Sequence, residues 1–177
     1  MAVFEPTSIP GVVIIVAKSI EDDRGLLMET MKRSEFARAG IRADFVQENH
    51  TLSKAGTLRG LHYQRPPRAQ GKLVRVVRGE VFDVTVDLRP ESRTFRRWVG
   101  VALSAENRRS IYIPPECAHG FCVVSSEAEV VYKMTEEYSP EHEVGIRWDD
   151  PAIGIAWPVS APALSPRDRN WPPLLPV

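Results

Sequence analysis

The sequence has few of the residues that build metal or disulfide frameworks. It contains two cysteines, Cys117 and Cys122, without Cys-x-x-Cys spacing, and four histidines. Basic and acidic residues balance at 23 each, and no apolar run approaches the ~20 residues that span a bilayer. We therefore expect neither a disulfide scaffold nor nucleic-acid or membrane partners, and a reducing cytoplasm is the natural compartment.

Turn-forming residues, by contrast, are abundant. Fifteen prolines and eleven glycines separate short β-branched and aromatic runs, which is typical of sandwiches and barrels. The 177 residues suit one domain, expected over 1–177. The predicted strands are Val12–Ala17, Ala43–Val46, Leu73–Val77, Val81–Leu88, Trp98–Leu103, Ser110–Ile113, Phe121–Val124 and Glu129–Met134.

Two other segments have distinct patterns. SEFARAG predicts a short helix with Ser34 as its N-cap and Gly40 as its stop. The proline-rich segment that contains Trp157 and Trp171 is expected to be an extended loop packed on the body of the domain, because its apolar residues argue against disorder.

The segment KLVRVVRGEVFDVTVDLR predicts a hairpin with charged residues on one face. With Gly79-Glu80 as a two-residue turn, Lys72 shares a face with Asp83, and the other face is apolar. A solvated face with surface ion pairs explains this pattern as well as a lysine held near carboxylates does. A three-residue turn would separate the two side chains.

The segment TLRGLHYQRPP carries an unusual polar pattern around His62. A metal-binding double-stranded β-helix would show His-x-His, but Gln64 stands at the second position and no suitably spaced glutamate follows, so no metal is expected. Histidine is also the usual general base near neutral pH. On a regular strand Arg59 and His62 point to opposite faces, so both can serve one site only if the chain bulges at Gly60 or Arg59 lies at the rim.

Several other residues are candidates for proton transfer next to a ketone. Asp168 can fix the tautomer of His62, Tyr132 is a candidate acid, and Lys72 is a candidate cation beside an enolate. Taken singly, each is a weak signal, because a lone tyrosine on a strand is more often a core residue and a lone charge is more often solvated.

A phosphate group would need a local cluster of positive charge. Arg24 and Arg59, with His119, can supply it, because the guanidinium fork matches phosphate oxygens. Spacing alone does not bring these residues together.

In combination, six segments of the chain resemble the dTDP-4-dehydrorhamnose 3,5-epimerases over residues 10–170. In order they are DDRGLLMET, FVQENHTLSKAGTLRGLHYQ, GKLVRVVRGEVFDVTVDLRPESRTF, IPPECAHGFCVVSSEAEVVYKMTEEYSP, VGIRWDDPAIGIAW and LSPRD. The resemblance implies an all-β, double-stranded β-helix, that is, a cupin-type jelly roll with short peripheral helices. It also implies homodimers with exchanged N-terminal strands, no metal and no cofactor.

The resemblance further implies a role for each matched residue. His62 is expected to be the base at C3 and C5 of a 4-keto sugar, with Asp168 as its dyad partner and Tyr132 as the acid on the opposite side. Lys72 is expected to stabilise the C4 enolate, with Asp83 holding it. The nucleotide sugar is expected to be bound by Arg24, Gln47, Asn49, Arg59, His119 and Arg167, with Glu29, Tyr138 and Glu143 around the base and ribose.

The sequence departs from the family pattern at three positions. A phenylalanine is usual at Leu27 and a turn glycine at Glu116, and a lysine of the family is matched by Arg167, which keeps the charge. The implied reaction converts dTDP-4-dehydro-6-deoxy-D-glucose to dTDP-4-dehydro-L-rhamnose, within dTDP-rhamnose synthesis for cell-surface polysaccharide. The alternatives are inversion at C3 or C5 only on a related nucleotide sugar, a metal-dependent cupin, and a sugar-binding jelly roll without chemistry.

Overall fold

A computed structural model describes residues 1–174 of the chain, and strands make up most of its regular structure. In chain order the strands are β1 Val3–Pro6, β2 Val13–Val16, β3 Ser19–Asp22, β4 Gly25–Met28, β5 Gln47–Lys54, β6 Leu58–Gln64, β7 Lys72–Arg78, β8 Glu80–Asp87, β9 Trp98–Ser104, β10 Arg109–Ile113, β11 Cys117–Val123, β12 Glu127–Met134 and β13 Glu143–Gly145. Two short helices, α1 Arg33–Arg38 and α2 Pro166–Arg169, and a 3₁₀ turn at Pro140–His142 complete the elements.

The strands form two antiparallel sheets. One has the order β1-β2-β10-β7-β12-β5 and the other the order β13-β6-β11-β8-β9, while β3 and β4 make a separate two-stranded hairpin. From β5 to β8 the chain changes sheet at every step, and it does so again from β9 to β13. This alternation produces a double-stranded β-helix, so the predicted jelly roll is confirmed.

The main core lies where the inner faces of the two sheets meet. Because side chains alternate along a strand, Val74 and Val76 of β7 both point inward, as does Val130 of β12. They pack against Val81 and Phe121 of the opposite sheet. Each fully buried aliphatic side chain of this kind contributes about 1.5–3 kcal/mol. A second cluster, which includes Val84 and Val86, forms on the outer face of the five-stranded sheet.

The predicted hairpin at Gly79-Glu80 is wrong. β7 belongs to the six-stranded sheet and β8 to the five-stranded one, so the chain crosses between sheets where a paired turn was expected. The predicted grouping of faces nevertheless holds, because Lys72 and Asp83 both point into the interior, where they are 5% and 0% exposed. The interpretation of that face as solvated is therefore also wrong.

Local predictions failed at three further places. Ala43–Val46 is irregular, and the strand begins one residue later, at Gln47. Helix α1 begins at Arg33 with Lys32 in the N-cap position and no side-chain cap, so Ser34 does not cap it. The segment with His62, which was not assigned to a strand, is the seven-residue β6.

The C-terminal segment packs on the body of the domain, as predicted, and it does so on the outer face of the five-stranded sheet. It also contains the short helix α2, and residues 175–177 of the predicted loop lie outside the described residues. Trp157 packs on the second core cluster, and its indole N–H donates a hydrogen bond of 2.8 Å to the carbonyl of Trp148. Over residues 1–174 the chain forms no helix with the length and apolar character that crossing a bilayer requires.

Candidate active site

A pocket of about 380 Å³ opens between the two sheets. Residues of both sheets and of the C-terminal segment line it. They are Gln47, Asn49, Arg59, His62, Tyr63, Gln64, Gln70, Lys72, His119, Phe121, Tyr132, Met134, Tyr138, Glu143, Ser165, Arg167 and Asp168. The volume is within the range of sites that bind small organic ligands.

A bulge in β6 brings Arg59 and His62 to the same pocket. Against β11, His62 lies opposite His119 and Arg59 lies opposite Phe121, so three steps on one strand match two on the other. Gly60 sits in this irregularity with a φ of 110°, and a Cβ there would lie 2.5 Å from the carbonyl oxygen of His119. Only glycine fits this close approach, so of the two possibilities left open the bulge at Gly60 is present, while Arg59 itself is exposed.

His62 is held on a strand that is paired on both sides, between β11 and the edge strand β13. Burial lowers the pKa of its imidazole well below the ordinary value, and the positive charges of Lys72 and Arg167 act in the same direction. Its Nδ1 lies 3.8 Å from a carboxylate oxygen of Glu143. The ring is therefore neutral near pH 7, the form in which an imidazole accepts a proton.

Lys72 is the buried cation of the pocket. It comes from the six-stranded sheet, and its Nζ donates a long hydrogen bond of 3.4 Å to the carbonyl of His62. Burial lowers the pKa of Lys72 to about 8, while the negative charges of Glu143 and Asp83 raise it. The amine is therefore mostly protonated at pH 7, and it lies close to the backbone of His62.

Asp83 bonds to a different partner from the one predicted. Its carboxylate is hydrogen-bonded to Nε2 of His119 at 2.7 Å, and both side chains are buried. Within the described part of the chain its other oxygen, Oδ1, has no hydrogen-bond partner. Asp83 influences Lys72 through its charge, whereas the group that it holds in place is His119.

Asp168 reaches the pocket at the beginning of α2. Ser165 caps this helix: its hydroxyl accepts a hydrogen bond from the Asp168 amide at 3.0 Å and donates one to Oδ2 of Asp168 at 2.9 Å. The remaining oxygen, Oδ1, accepts no hydrogen bond from residues 1–174 and lies 4.0 Å from Nε of Arg167. A buried carboxylate oxygen thus remains available in the pocket that His62 lines.

Tyr132 and His62 lie on opposite walls of the pocket. Tyr132 is on β12 of the six-stranded sheet, paired with Asn49, whereas His62 is on β6 of the five-stranded sheet. A ligand between the sheets would have an imidazole on one side and a phenol on the other. Two proton-transferring groups on opposite sides are the arrangement that inversion at a carbon requires.

Glu143 connects two groups at the pocket wall. Its Oε2 accepts hydrogen bonds from Arg167 at 2.6 Å and from the hydroxyl of Tyr138 at 2.8 Å. The backbone amide of Tyr138 donates to Gln47 at 2.8 Å, and Gln47 in turn donates to Asn49 at 3.1 Å. These polar residues, predicted from distant parts of the sequence, form one connected wall.

Arg24 and Glu29 do not line the pocket of their own chain. Arg24 is in the turn of the β3–β4 hairpin, where its exposed side chain pairs with Asp22, and Glu29 pairs with Lys32 at 3.7 Å. Leu27, on the same hairpin, is 70% exposed. The pocket therefore contains eleven of the fourteen predicted residues, while Asp83 lies behind it.

The structure adds six pocket residues that the sequence analysis missed: Tyr63, Gln64, Gln70, Phe121, Met134 and Ser165. Ser165 had a usable signal, since Ser-Pro before an acidic residue is a helix N-cap pattern. Gln64 is buried and donates to the carbonyls of Arg68 and Glu137 at 2.8 and 3.2 Å. No local pattern distinguishes such a glutamine from a surface one.

Across the described residues, no three His, Cys, Asp or Glu side chains are grouped so as to hold a metal ion. The fold and the pocket define a cupin-type jelly roll that carries a histidine, a tyrosine and a lysine suited to proton transfer.

Comparison with known proteins agrees with this class. The family model described as dTDP-4-dehydrorhamnose 3,5-epimerase matches residues 6–175. An enzyme of that name from Shigella flexneri is 55% identical over 165 residues, which are 93% of this chain and 91% of the relative. The chain belongs to the dTDP-4-dehydrorhamnose 3,5-epimerase family and is an isomerase.

Solved structures give the same result. The Bacillus anthracis dTDP-4-dehydrorhamnose 3,5-epimerase, with TDP and PPi bound, superposes with a TM-score of 0.96 at 40% identity, covering 98% of this chain and 100% of the other. A Legionella pneumophila dTDP-6-deoxy-D-glucose-3,5-epimerase in complex with dTDP-4-keto-L-rhamnose gives 0.91 at 45% identity, covering 95% of this chain and 90% of the other.

Proposed function

We propose that this pocket epimerises dTDP-4-dehydro-6-deoxy-D-glucose at C3 and C5 to dTDP-4-dehydro-L-rhamnose. The observation that carries the proposal is the placement of His62 and Tyr132 on opposite walls with the buried Lys72 between the same sheets. The names and bound nucleotides of the related structures support the choice of a dTDP sugar.

The reaction begins with removal of a proton next to the C4 ketone. Neutral His62 takes the proton from C3 or C5, the C–H electron pair moves into the ring bond to C4, and negative charge develops on the C4 oxygen. The ammonium group of Lys72 stabilises that enolate in a site of low dielectric constant. Asp168, whose Oδ1 accepts no hydrogen bond within residues 1–174, then stabilises the imidazolium ion that forms.

Inversion follows when a proton returns from the other side. The phenol of Tyr132 donates its proton to the same carbon from the opposite face, and the C4 ketone re-forms. His62 then releases its proton to solvent and the Tyr132 phenolate takes one up, after which the sequence repeats at the second carbon. General acid and general base catalysis each contribute about 10²–10⁴-fold in rate.

Polar residues farther along the pocket bind the nucleotide diphosphate. Arg59 is oriented by a hydrogen bond of 3.0 Å from its Nε to Ser53, and Arg167 brings a second guanidinium. Arginine matches phosphate oxygens with paired donors. His119, which uses Nε2 for Asp83, has Nδ1 left for the ligand, and Gln47, Asn49, Tyr138 and Glu143 complete the contacts.

A partner subunit completes the site. We infer a homodimer with exchanged N-terminal strands, in which the β3–β4 hairpin of one chain reaches the pocket of the other and supplies Arg24 and Glu29. The exposed apolar side chains of that hairpin, Ile20, Leu26 and Leu27, support this arrangement, because an isolated two-stranded hairpin with such a surface is stabilised by burial. The enzyme would work in the cytoplasm, in synthesis of dTDP-rhamnose for cell-surface polysaccharide.

Incubation with the dTDP-4-keto-6-deoxy sugar in deuterated water tests the reaction. We expect deuterium at both C3 and C5 of the product, and no loss of activity in a strong chelator. Deuterium at one carbon only would identify a mono-epimerase on the same scaffold. Loss of activity in chelator, with recovery on adding one divalent ion, would contradict the metal-free mechanism.

A further inference from the structure

The indole ring of Trp171 lies directly on the backbone of Gly145. A Cβ at Gly145 would be 2.3 Å from both Cδ2 and Cε2 of that ring, far inside van der Waals contact. The φ of Gly145 is not in the left-handed region, so glycine is needed at this position for space and not for conformation. Beside this contact, the amide of Arg147 donates a hydrogen bond of 3.0 Å to the carbonyl of Pro172.

This contact joins two parts of the proposed proton-transfer machinery. Gly145 is the residue of β13 that pairs directly with His62 of β6. Trp171 follows Asp168 by three residues, just beyond the end of α2, and α2 also contacts β6. The ring and the Pro172 hydrogen bond therefore attach the helix that carries Asp168 to the strand beside His62.

A four-residue helix has little stability of its own, so something outside it must fix its position. Within residues 1–174 the indole Nε1 of Trp171 is buried without a hydrogen-bond partner. The contact that Trp171 makes with β13 is that of its ring with Gly145.

The geometry points to Trp171 as a positioning residue for catalysis: its ring packs on Gly145 and thereby holds the carboxylate of Asp168 in place in the pocket that His62 lines. This inference rests on the proposed function, because it assigns Asp168 as the partner of the catalytic base. Trp171 acts through Asp168 and touches no reacting atom.

A double-mutant cycle at saturating substrate tests it. Trp171→Ala should lower kcat about tenfold in the native background, since small misplacements of catalytic groups are costly. In the Asp168→Asn background the same change should lower kcat less than about twofold, because residues that act as one unit are not additive. A role in stability alone would lower the active fraction equally in both backgrounds.

Two further variants test whether the contact between the Trp171 ring and Gly145 is what maintains kcat. Trp171→Phe keeps a flat ring over Gly145 and lacks the buried N–H, so it should retain kcat within about twofold of the native enzyme. Gly145→Ala pushes the ring away from the other side and should reproduce the loss seen in Trp171→Ala. If Trp171→Ala does not fold, Trp171→Leu is measured in the same two backgrounds.

The outcomes separate this inference from the proposed function. Equal losses in the two backgrounds, or no loss in either, would overturn the positioning role while leaving the epimerase mechanism intact. A native kcat in Asp168→Asn would overturn both the dyad assignment and the positioning role. Loss confined to the native background, with recovery in Trp171→Phe, would support the assignment.

Discussion

The buried Lys72 makes the pH dependence of the reaction a direct test of the mechanism. Burial lowers its pKa to about 8, against the opposing charges of Glu143 and Asp83. If the enolate needs the ammonium ion, kcat/KM must decline as pH rises through that value. A group with this pKa is about 90% protonated at pH 7 and about 10% at pH 9, so we expect roughly a tenfold loss of kcat/KM between them.

Titration of His62 does not overlap with this decline of kcat/KM at alkaline pH. The pKa of His62 is lowered well below its ordinary value, so the imidazole is already neutral at pH 7 and stays neutral at pH 9. Its protonation instead produces an acid limb at lower pH. The two limbs should therefore be separated by a plateau near neutral pH, measurable as kcat/KM from about pH 5 to 10.

Lys72→Arg is the decisive variant. Its guanidinium has a pKa above ~12 and remains charged across the range, so the alkaline limb near pH 8 should disappear even if the larger group lowers the maximal rate. Lys72→Met, which lacks the charge, should be slow at every pH. An alkaline limb that persists unchanged in Lys72→Arg would belong to another group and would refute the role of Lys72.

Four more outcomes follow from the site and its neighbours. His62→Ala should remove deuterium exchange at both carbons, by about 10²–10⁴-fold; exchange that survives at C5 alone would mean two separate bases. Tyr132→Phe should leave exchange while epimerised product falls, and unchanged epimerisation would make it a structural tyrosine. Leu27→Phe should tighten dTDP binding modestly, because stacking of an aromatic ring on a base contributes about 1–3 kcal/mol, whereas Tyr138→Ala should weaken dTDP binding. Titration calorimetry with dTDP, CDP and GDP measures both effects. Tighter binding of CDP or GDP than of dTDP would mean that the substrate is a different nucleotide sugar. Glu116 has a φ of 62°, in the left-handed region that glycine favours. Glu116→Gly should therefore stabilise the fold by about 1 kcal/mol and raise the Tm by about 2–4 °C. An unchanged or lower Tm would show that Glu116 makes compensating contacts.

Much of the site was predictable because it depends on residue types in short segments. RGLHYQ indicated a histidine without metal-site spacing. It also indicated that Arg59 and His62 can share a site only through a bulge at Gly60 or with Arg59 at the rim. The bulge brings residue 60 so close to the backbone of β11 that any side chain at this position would clash with it. Matching the segments to a family then assigned Lys72, Tyr132 and Asp168, although spacing alone could not show that they converge.

Pairing between distant strands was less accessible. The segment around Gly79 has the composition of a hairpin, but β7 pairs with β10 and β12 while β8 pairs with β9 and β11. A local pattern does not report which of several possible partners a strand takes, because that choice depends on how both sheets close over a common core. The same pairing of β7 and β8 with different sheets places the face that carries Lys72 in the interior.

The sequence by itself determined the all-β class and the identities of most pocket residues, and it nominated His62 as the proton carrier, since turn signals, residue chemistry and family motifs are local properties. Only the tertiary structure decided that Asp83 holds His119, that Glu143 joins Tyr138 to Arg167, and that Arg24 lies outside its own pocket. Those facts depend on side chains from distant segments meeting within hydrogen-bond distance, and such meetings are set by the packing of the two sheets as a whole.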